Sequence, residues 1–275
     1  MSEPVERAAT SRKPITLPRL AQMHREREKI AVLTCYDASF ARLMDEAGVD
    51  VLLVGDSLGM VVQGRDDTLP VTIEEIAYHT ACVARGNRGA WLIADMPFGS
   101  YHASVEQSIA NACRLFQAGA KMVKLEGAWA APVIRALTER GMPVCAHLGF
   151  TPQTVHALGG YRVQGRDSDG AALLRRQARE IVEAGAQMLV LELVPSAVAR
   201  ELTAELPIPT IGIGAGRDCS GQVLVMHDML GVTAGKLPRF VRRFVEGSAD
   251  VPEALRRFVH DVKSGAYPDE SLHGY

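Results

Sequence analysis

Eight short apolar runs, separated for the most part by helical patterns, constrain this chain more than any other feature. They occupy residues 31–37, 51–57, 91–97, 122–127, 144–149, 188–194, 210–214 and, with the weakest pattern, 222–227. Most are unbroken stretches of Val, Leu, Ile and Met rather than a strict polar alternation, the mark of strands covered on both faces. Between them, segments such as 104–118, 132–140 and 170–184 repeat apolar residues three and four apart, as outer helices do. Several of these patterns stop at a glycine, at Gly48, Gly119, Gly141 and Gly185, where a left-handed terminal residue is free of steric cost only without a Cβ.

One unit is visibly reused. Glu46-Ala-Gly-Val-Asp-Val-Leu-Leu-Val-Gly-Asp56, Gln117-Ala-Gly-Ala-Lys-Met-Val-Lys-Leu-Glu126 and Glu183-Ala-Gly-Ala-Gln-Met-Leu-Val-Leu-Glu192 each read as helix end, glycine stop, turn and buried strand finishing in an acid, with Asp56 one place later than the other two. Eight such units in about 240 residues predict an α/β fold, a (β/α)8 TIM-type barrel, with an open doubly wound sheet as the alternative. The expected layout is a flexible N-terminal tail over residues 1–14 and a single catalytic barrel domain over 15–275. It closes on a C-terminal helical segment around Phe240-Val-Arg-Arg-Phe-Val245 and 251–263, read as a helical cap or oligomer contact.

Composition narrows the partners. Lys and Arg number 30 against 32 Asp and Glu, so the net charge of −2 provides no field to gather nucleic acid or an anionic membrane, and small molecules are the expected ligands. No apolar run reaches the ~18 residues of a membrane span and the N-terminus lacks a signal-like core. The five cysteines form no C-x-x-C pair; they are expected to be buried, reduced thiols of a cytoplasmic protein.

The chemistry should lie at the C-terminal ends of the strands, which face the mouth of such a barrel. Those ends are mostly acidic: Asp56-Ser57 on the second strand, Asp95 on the third, Lys124-Leu-Glu126 on the fourth, His147 on the fifth and Glu192 on the sixth. A lone acid after a strand often caps the next helix. Converging on one apolar cavity, four carboxylates repel unless a cation joins them or some are protonated, and an all-oxygen set favours Mg2+ over Zn2+. Lys124 and Glu126, two apart on one strand, share a face; Lys124 either pairs with Glu126 or binds an anionic substrate. His147 is read as either a polar liner of the site or a core residue. Gly212-Ile-Gly-Ala-Gly216 is taken as a tight turn in preference to a phosphate cradle, and residues 159–166 as a lid in preference to scaffold.

Read together, these segments resemble the ketopantoate hydroxymethyltransferase family. The matching stretches include Thr34-Cys-Tyr-Asp37, Leu53-Val-Gly-Asp-Ser-Leu-Gly-Met60, Thr68-Leu-Pro-Val-Thr72, Ala94-Asp-Met-Pro-Phe98, Val123-Lys-Leu-Glu-Gly127, Ala146-His-Leu-Gly-Phe-Thr-Pro-Gln153, Gly159-Gly-Tyr-Arg-Val-Gln-Gly165, Leu191-Glu192 and Ile211-Gly-Ile-Gly-Ala-Gly216. Cys35, Met96 and Phe150 depart from the usual pattern without touching an expected ligand. The resemblance implies a Mg2+-dependent barrel that transfers a hydroxymethyl group from 5,10-methylenetetrahydrofolate to 3-methyl-2-oxobutanoate, and a homo-oligomer, often a decamer. It implies that Asp56 and Asp95 bind the metal, with Glu126 joining directly or through water. Ser57 and Lys124, with Asp56 and Asp95, would hold the oxo acid, and Glu192 would accept the proton. The nearest rival is a Mg2+-dependent 2-oxo acid lyase of a related barrel family; from another class comes a non-catalytic barrel that stores or senses a metabolite.

Overall fold

A computed structural model describes residues 13–275; the expected tail over 1–14 lies outside the described residues apart from Lys13 and Pro14. Eight parallel strands close into a barrel in sequence order: β1 (Ile30–Thr34), β2 (Val51–Val54), β3 (Trp91–Asp95), β4 (Met122–Glu126), β5 (Val144–Gly149), β6 (Met188–Glu192), β7 (Thr210–Ile213) and β8 (Gly221–Leu224), which returns to pair with β1. The closed barrel, and not the doubly wound alternative, is therefore the fold.

Alternation along each strand sorts the apolar residues into two cores. Inside the barrel lie Val32, Leu53, Ile93, Met122, Cys145, Val190 and their neighbours. The intervening residues, such as Leu33, Leu52, Leu92, Leu125 and Leu189, pack outward under the helices. The helix Leu17–Arg25, which the sequence pattern did not single out, plugs the lower end: Leu20 and Met23 are fully buried in the inner core.

The helix ends follow their local chemistry. Gly48, Gly119, Gly141 and Gly185 all have positive φ, as the glycine stops predicted. The helix Ile73–Gly86 begins with a capping box in which the Thr72 hydroxyl accepts from Glu75 N and the Glu75 carboxylate accepts from Thr72 N. Thr72→Ala is expected to cost about 1 kcal/mol, a fall in Tm of about 2–4 °C for a domain of this size, measured by calorimetry. A loss within experimental scatter would show that tertiary packing alone holds this helix end.

Two expectations are corrected. Residues 240–245 are not helical: Phe240 and Phe244 turn inward, and Phe244 meets Phe258 and Tyr267 edge to face. The helix predicted beyond them is present, as Val251–Ser264. Nor are all the cysteines buried. Cys35, Cys145 and Cys219 are, but Cys113 is exposed and Cys82 half-buried, because both sit on outer helices whose far side meets solvent. No helix among the described residues is long and apolar enough to cross a membrane.

Candidate active site

Strand register builds the site. On β3, β4 and β6 the inward positions run Trp91, Ile93, Asp95; Met122, Lys124, Glu126; and Met188, Val190, Glu192, apolar below and charged at the top. Neighbouring strands set Asp95 beside Lys124, Glu126 beside His147, and Gly149 beside Glu192. The odd register of Asp56 has a structural reason. β2 ends at Val54, the next inward slot is taken by Gly55, and Asp56 enters from the turn. A Cβ on Gly55 would come within 2.9 Å of Ser57 Oγ and 3.6 Å of Asp95 Oδ2, so a side chain in this slot would have to displace the Ser57 hydroxyl.

All the residues expected from sequence are thereby brought to one end of the barrel, and Asp56, Asp95, Lys124, Glu126, His147 and Glu192 are buried. Lys124 Nζ lies 3.0 Å from Asp95 Oδ1 and 3.6 Å from Glu126 Oε1. The first contact is close but off the hydrogen-bonding direction, since Asp95 Oδ1 has no well-formed hydrogen bond. Asp95 Oδ2 accepts from the Asp56 backbone N–H at 3.0 Å. His147 bridges two carboxylates, with Nδ1 3.3 Å from Glu126 Oε1 and Nε2 3.4 Å from Glu192 Oε2. His147 Nδ1 is also 3.5 Å from Lys124 Nζ, a contact in which the ammonium donates when Nδ1 is unprotonated and which is repulsive when the ring is charged. Ser57 Oγ, at the mouth, is 2.9 Å from the Tyr36 hydroxyl.

The electrostatics follow from burial. Desolvation and the nearby Asp95 push Asp56 well above the usual carboxylate range. Desolvation raises Asp95 as well, despite the Lys124 ammonium. Burial would raise Glu126, but Lys124 and His147 hold it below its ordinary value. Burial opposes the charge on Lys124, yet Asp95 and Glu126 hold its pKa well above normal. For His147, burial and Lys124 oppose protonation, Glu126 and Glu192 outweigh them, and the pKa is pushed up to about 9. Burial raises Glu192, with His147 acting against it. Four carboxylates thus face two cations in a desolvated space, an excess of two negative charges if all are ionised.

The donor set suits a hard divalent cation. The ligand candidates are all oxygen, and Asp95 Oδ1 and Glu126 Oε1 are buried without a hydrogen bond. As the side chains stand, no three His, Cys, Asp or Glu among the described residues surround a single point closely enough to hold an ion. The suitability therefore rests on donor chemistry and charge balance.

Two residues escaped the sequence reading as site members. Gln153, in the turn after β5, donates from Nε2 to Asp56 Oδ2 at 2.8 Å and from its backbone N–H to Glu126 Oε2 at 3.0 Å. Tyr101, after β3, donates to Gln153 Oε1 at 2.7 Å. Both are neutral and sit in turns, so nothing in a search for acids at strand ends points to them; Gln153 lies only within the longer motif running from Ala146.

Two loops flank the mouth. In the 159–166 segment, Tyr161 packs on Phe150 with ring centroids 4.6 Å apart and its hydroxyl reaches Met60 Sδ at 3.8 Å. The backbone N–H of Gln164 donates to the carbonyl of Leu193 at 2.8 Å, which sets this loop beside the end of β6 and Glu192, while Tyr161 itself stays largely exposed. In the glycine loop after β7, Gly214 and Gly216 have φ of 62° and 81°, and a Cβ on Gly214 would meet the rings of Phe240 and Tyr275. That packing agrees with a tight turn.

Known proteins bear on this geometry at two levels. Solved structures of phosphoenolpyruvate phosphomutase from Streptomyces platensis subsp. rosaceus (TM-score 0.56, 15% identity, covering 77% of this chain and 82% of that one) and of phosphonopyruvate hydrolase in complex with oxalate and Mg2+ (TM-score 0.59, 13% identity, 93% and 98%) share the fold. Sequence similarity goes further. A 3-methyl-2-oxobutanoate hydroxymethyltransferase from Leptothrix cholodnii is 60% identical over 275 aligned positions, covering 97% of this chain and 95% of the relative. A second such enzyme, from Methylibium petroleiphilum, is 59% identical over 268, covering 97% and 96%. The ketopantoate hydroxymethyltransferase family model matches residues 14–270, the whole barrel with its strand-end acids, and the chain belongs to that family.

Proposed function

We propose that the protein transfers a hydroxymethyl group from 5,10-methylenetetrahydrofolate to C3 of 3-methyl-2-oxobutanoate, giving ketopantoate, with Mg2+ held by Asp56 and Asp95 and by Glu126 directly or through water. The observation that carries this reading is a division of roles within the acidic cluster. Asp56, Asp95 and Glu126 gather on the β2–β4 side, whereas Glu192 stands on β6 with His147 between it and Glu126. Phosphonopyruvate hydrolase, described with Mg2+ and the dicarboxylate oxalate, supports a cation-assisted 2-oxo acid chemistry on this fold.

Bound there, the cation would offset the excess negative charge and polarise the keto group, which makes the C3 proton more acidic. The remaining steps belong to the protein. The Lys124 ammonium and the Ser57 hydroxyl, fixed by Tyr36, are the groups proposed to receive the oxo acid's oxygens. Glu192 is the proposed base: burial favours its taking up a proton, and the neighbouring His147 orients its carboxylate. The carbanion formed at C3 then bonds to the donor's methylene carbon. Both C–N bonds of that carbon break, tetrahydrofolate leaves and water supplies the hydroxyl oxygen. The C3 proton taken by Glu192, together with the two protons of water, ends on the product hydroxyl and the two freed folate nitrogens. The 159–166 loop, packed at the mouth, is proposed as the lid that keeps bulk water away. The same reading takes the protein as a cytoplasmic homo-oligomer acting on small molecules.

The test is ketopantoate formation by purified protein from both substrates, with Mg2+ and after chelation. Chelation is expected to lower the rate at least about a hundredfold, with recovery on adding Mg2+ back. Folded, metal-supplemented protein that makes no ketopantoate would end the transferase reading. Folate-independent cleavage of a 2-oxo acid would put the lyase in its place.

A further inference from the structure

Gln153 is the most heavily engaged neutral side chain in the acidic cluster, and the hydrogen bonds around it have only one consistent direction. The backbone carbonyl of Met96 can only accept, and Gln153 Nε2 lies 3.0 Å from it, so this end of the amide is the NH2 group. Its second proton then goes to Asp56 Oδ2, 2.8 Å away. The Tyr101 hydroxyl accepts the Glu126 backbone N–H at 3.1 Å, so its own proton is free to go to Gln153 Oε1 at 2.7 Å. The Gln153 N–H to Glu126 Oε2 bond, 3.0 Å, closes the circuit. Every donor of Gln153 is used, its side-chain oxygen is used, and it is only 4% exposed. Two of its three donors end on carboxylates, one from the turn after β2 and one from the end of β4.

Such an arrangement is costly to bury unless it is complete, and complete it leaves the two carboxylates little freedom. Asp56 comes from a turn, not from a strand, so strand register does not fix its side chain. Asp95 and Glu126 stand close enough to oppose its charge, and the hydrogen bond from Gln153 Nε2 to Asp56 Oδ2 acts against them. We infer that Gln153 is the positioning residue of the cation site: it ties Asp56 to Glu126 across the barrel mouth, with Tyr101 locking its amide, so that both carboxylates are held ready for one divalent ion. The inference rests on the proposed metal site and adds to it a residue that touches neither cation nor substrate.

Binding of Mn2+ alone, followed by the electron paramagnetic resonance signal of the free ion, tests this without turnover. Gln153→Ala is expected to weaken Mn2+ affinity about 10- to 100-fold, the usual effect of removing a group that orients metal ligands. Tyr101→Phe removes one oxygen and should weaken it about fivefold, in the same direction. Both should retain the far-UV circular dichroism of the parent. In turnover, saturating metal should restore much of the activity of Tyr101→Phe, which a general loosening of the fold would not allow. Parental Mn2+ affinity in a folded Gln153→Ala protein overturns the inference; if that variant does not fold, unchanged affinity in Tyr101→Phe does so. A parent protein that binds no Mn2+ overturns instead the metal assignment beneath it, so the two failures are told apart.

Discussion

Glu192→Gln is expected to lower kcat for ketopantoate formation by about 10²–10⁴-fold, the range for losing a positioned general base. The substitution keeps the size and shape of the side chain and its place at the top of β6. It leaves intact the carboxylates proposed to bind the cation, and it keeps a polar oxygen in the place of Glu192 Oε2, 3.4 Å from His147 Nε2. What it removes is the ability to take a proton. KM for the oxo acid should therefore change much less than kcat, the signature of an interaction needed only in the transition state. A second readout isolates the step: exchange of the C3 hydrogen of 3-methyl-2-oxobutanoate with deuterated water, without the one-carbon donor, should fall in parallel. A variant with kcat within about tenfold of the parent would remove Glu192 from the role of base. Retained binding with lost turnover also separates an enzyme from a barrel that merely stores a metabolite.

The second large effect concerns a residue with no side chain. Gly149→Ala is expected to destabilise the protein by roughly 3–5 kcal/mol, combining the cost of a positive φ with that of overpacking. Gly149 has φ 89°, and an added Cβ would lie 2.2 Å from the Glu192 carbonyl oxygen and 2.6 Å from a Val194 methyl. That carbonyl accepts from Phe150 N at 2.8 Å, and the chain turns at once through Leu193, itself at φ 48°. Neither strand end can move aside without breaking this turn. Tm should fall by roughly 10 °C. The protein that remains folded should also lose activity, because pushing β6 from β5 displaces Glu192, and an error of about 1 Å in a reacting group costs on the order of a hundredfold. Parental Tm and kcat together in Gly149→Ala would show that the strands yield there at little cost.

Local patterns account for much of what is legible in the sequence. The repeat of helix, glycine stop and buried strand is written in residue types a few places apart, and it settles the strand count and most strand positions to within two or three residues. The common face of Lys124 and Glu126 follows from the two-residue period of a strand, and the structure turns both inward. The acids at strand ends could be found because charge at the end of an apolar run stands out. The family motifs add specificity because they are long and occur in order.

Other features have no local signature. The helix Leu17–Arg25 is amphipathic, but that it plugs the barrel depends on where the chain enters. Residues 240–245 resemble a helix face in composition, yet Phe244 finds Phe258 and Tyr267 and the segment follows their packing. Cys113 is exposed because the opposite face of its helix carries Ala112 and Leu115 inward. Gln153 and Tyr101 are the sharpest case: Gln153 meets Asp56 across 97 positions of sequence, and Tyr101 meets Gln153 across 52. The sequence by itself determined the repeating unit, the inward faces and the acidic strand ends, since each depends on spacing of a few residues. Only the tertiary structure decided how those ends meet, because closing eight strands into a ring sets the distances between side chains that no local period relates.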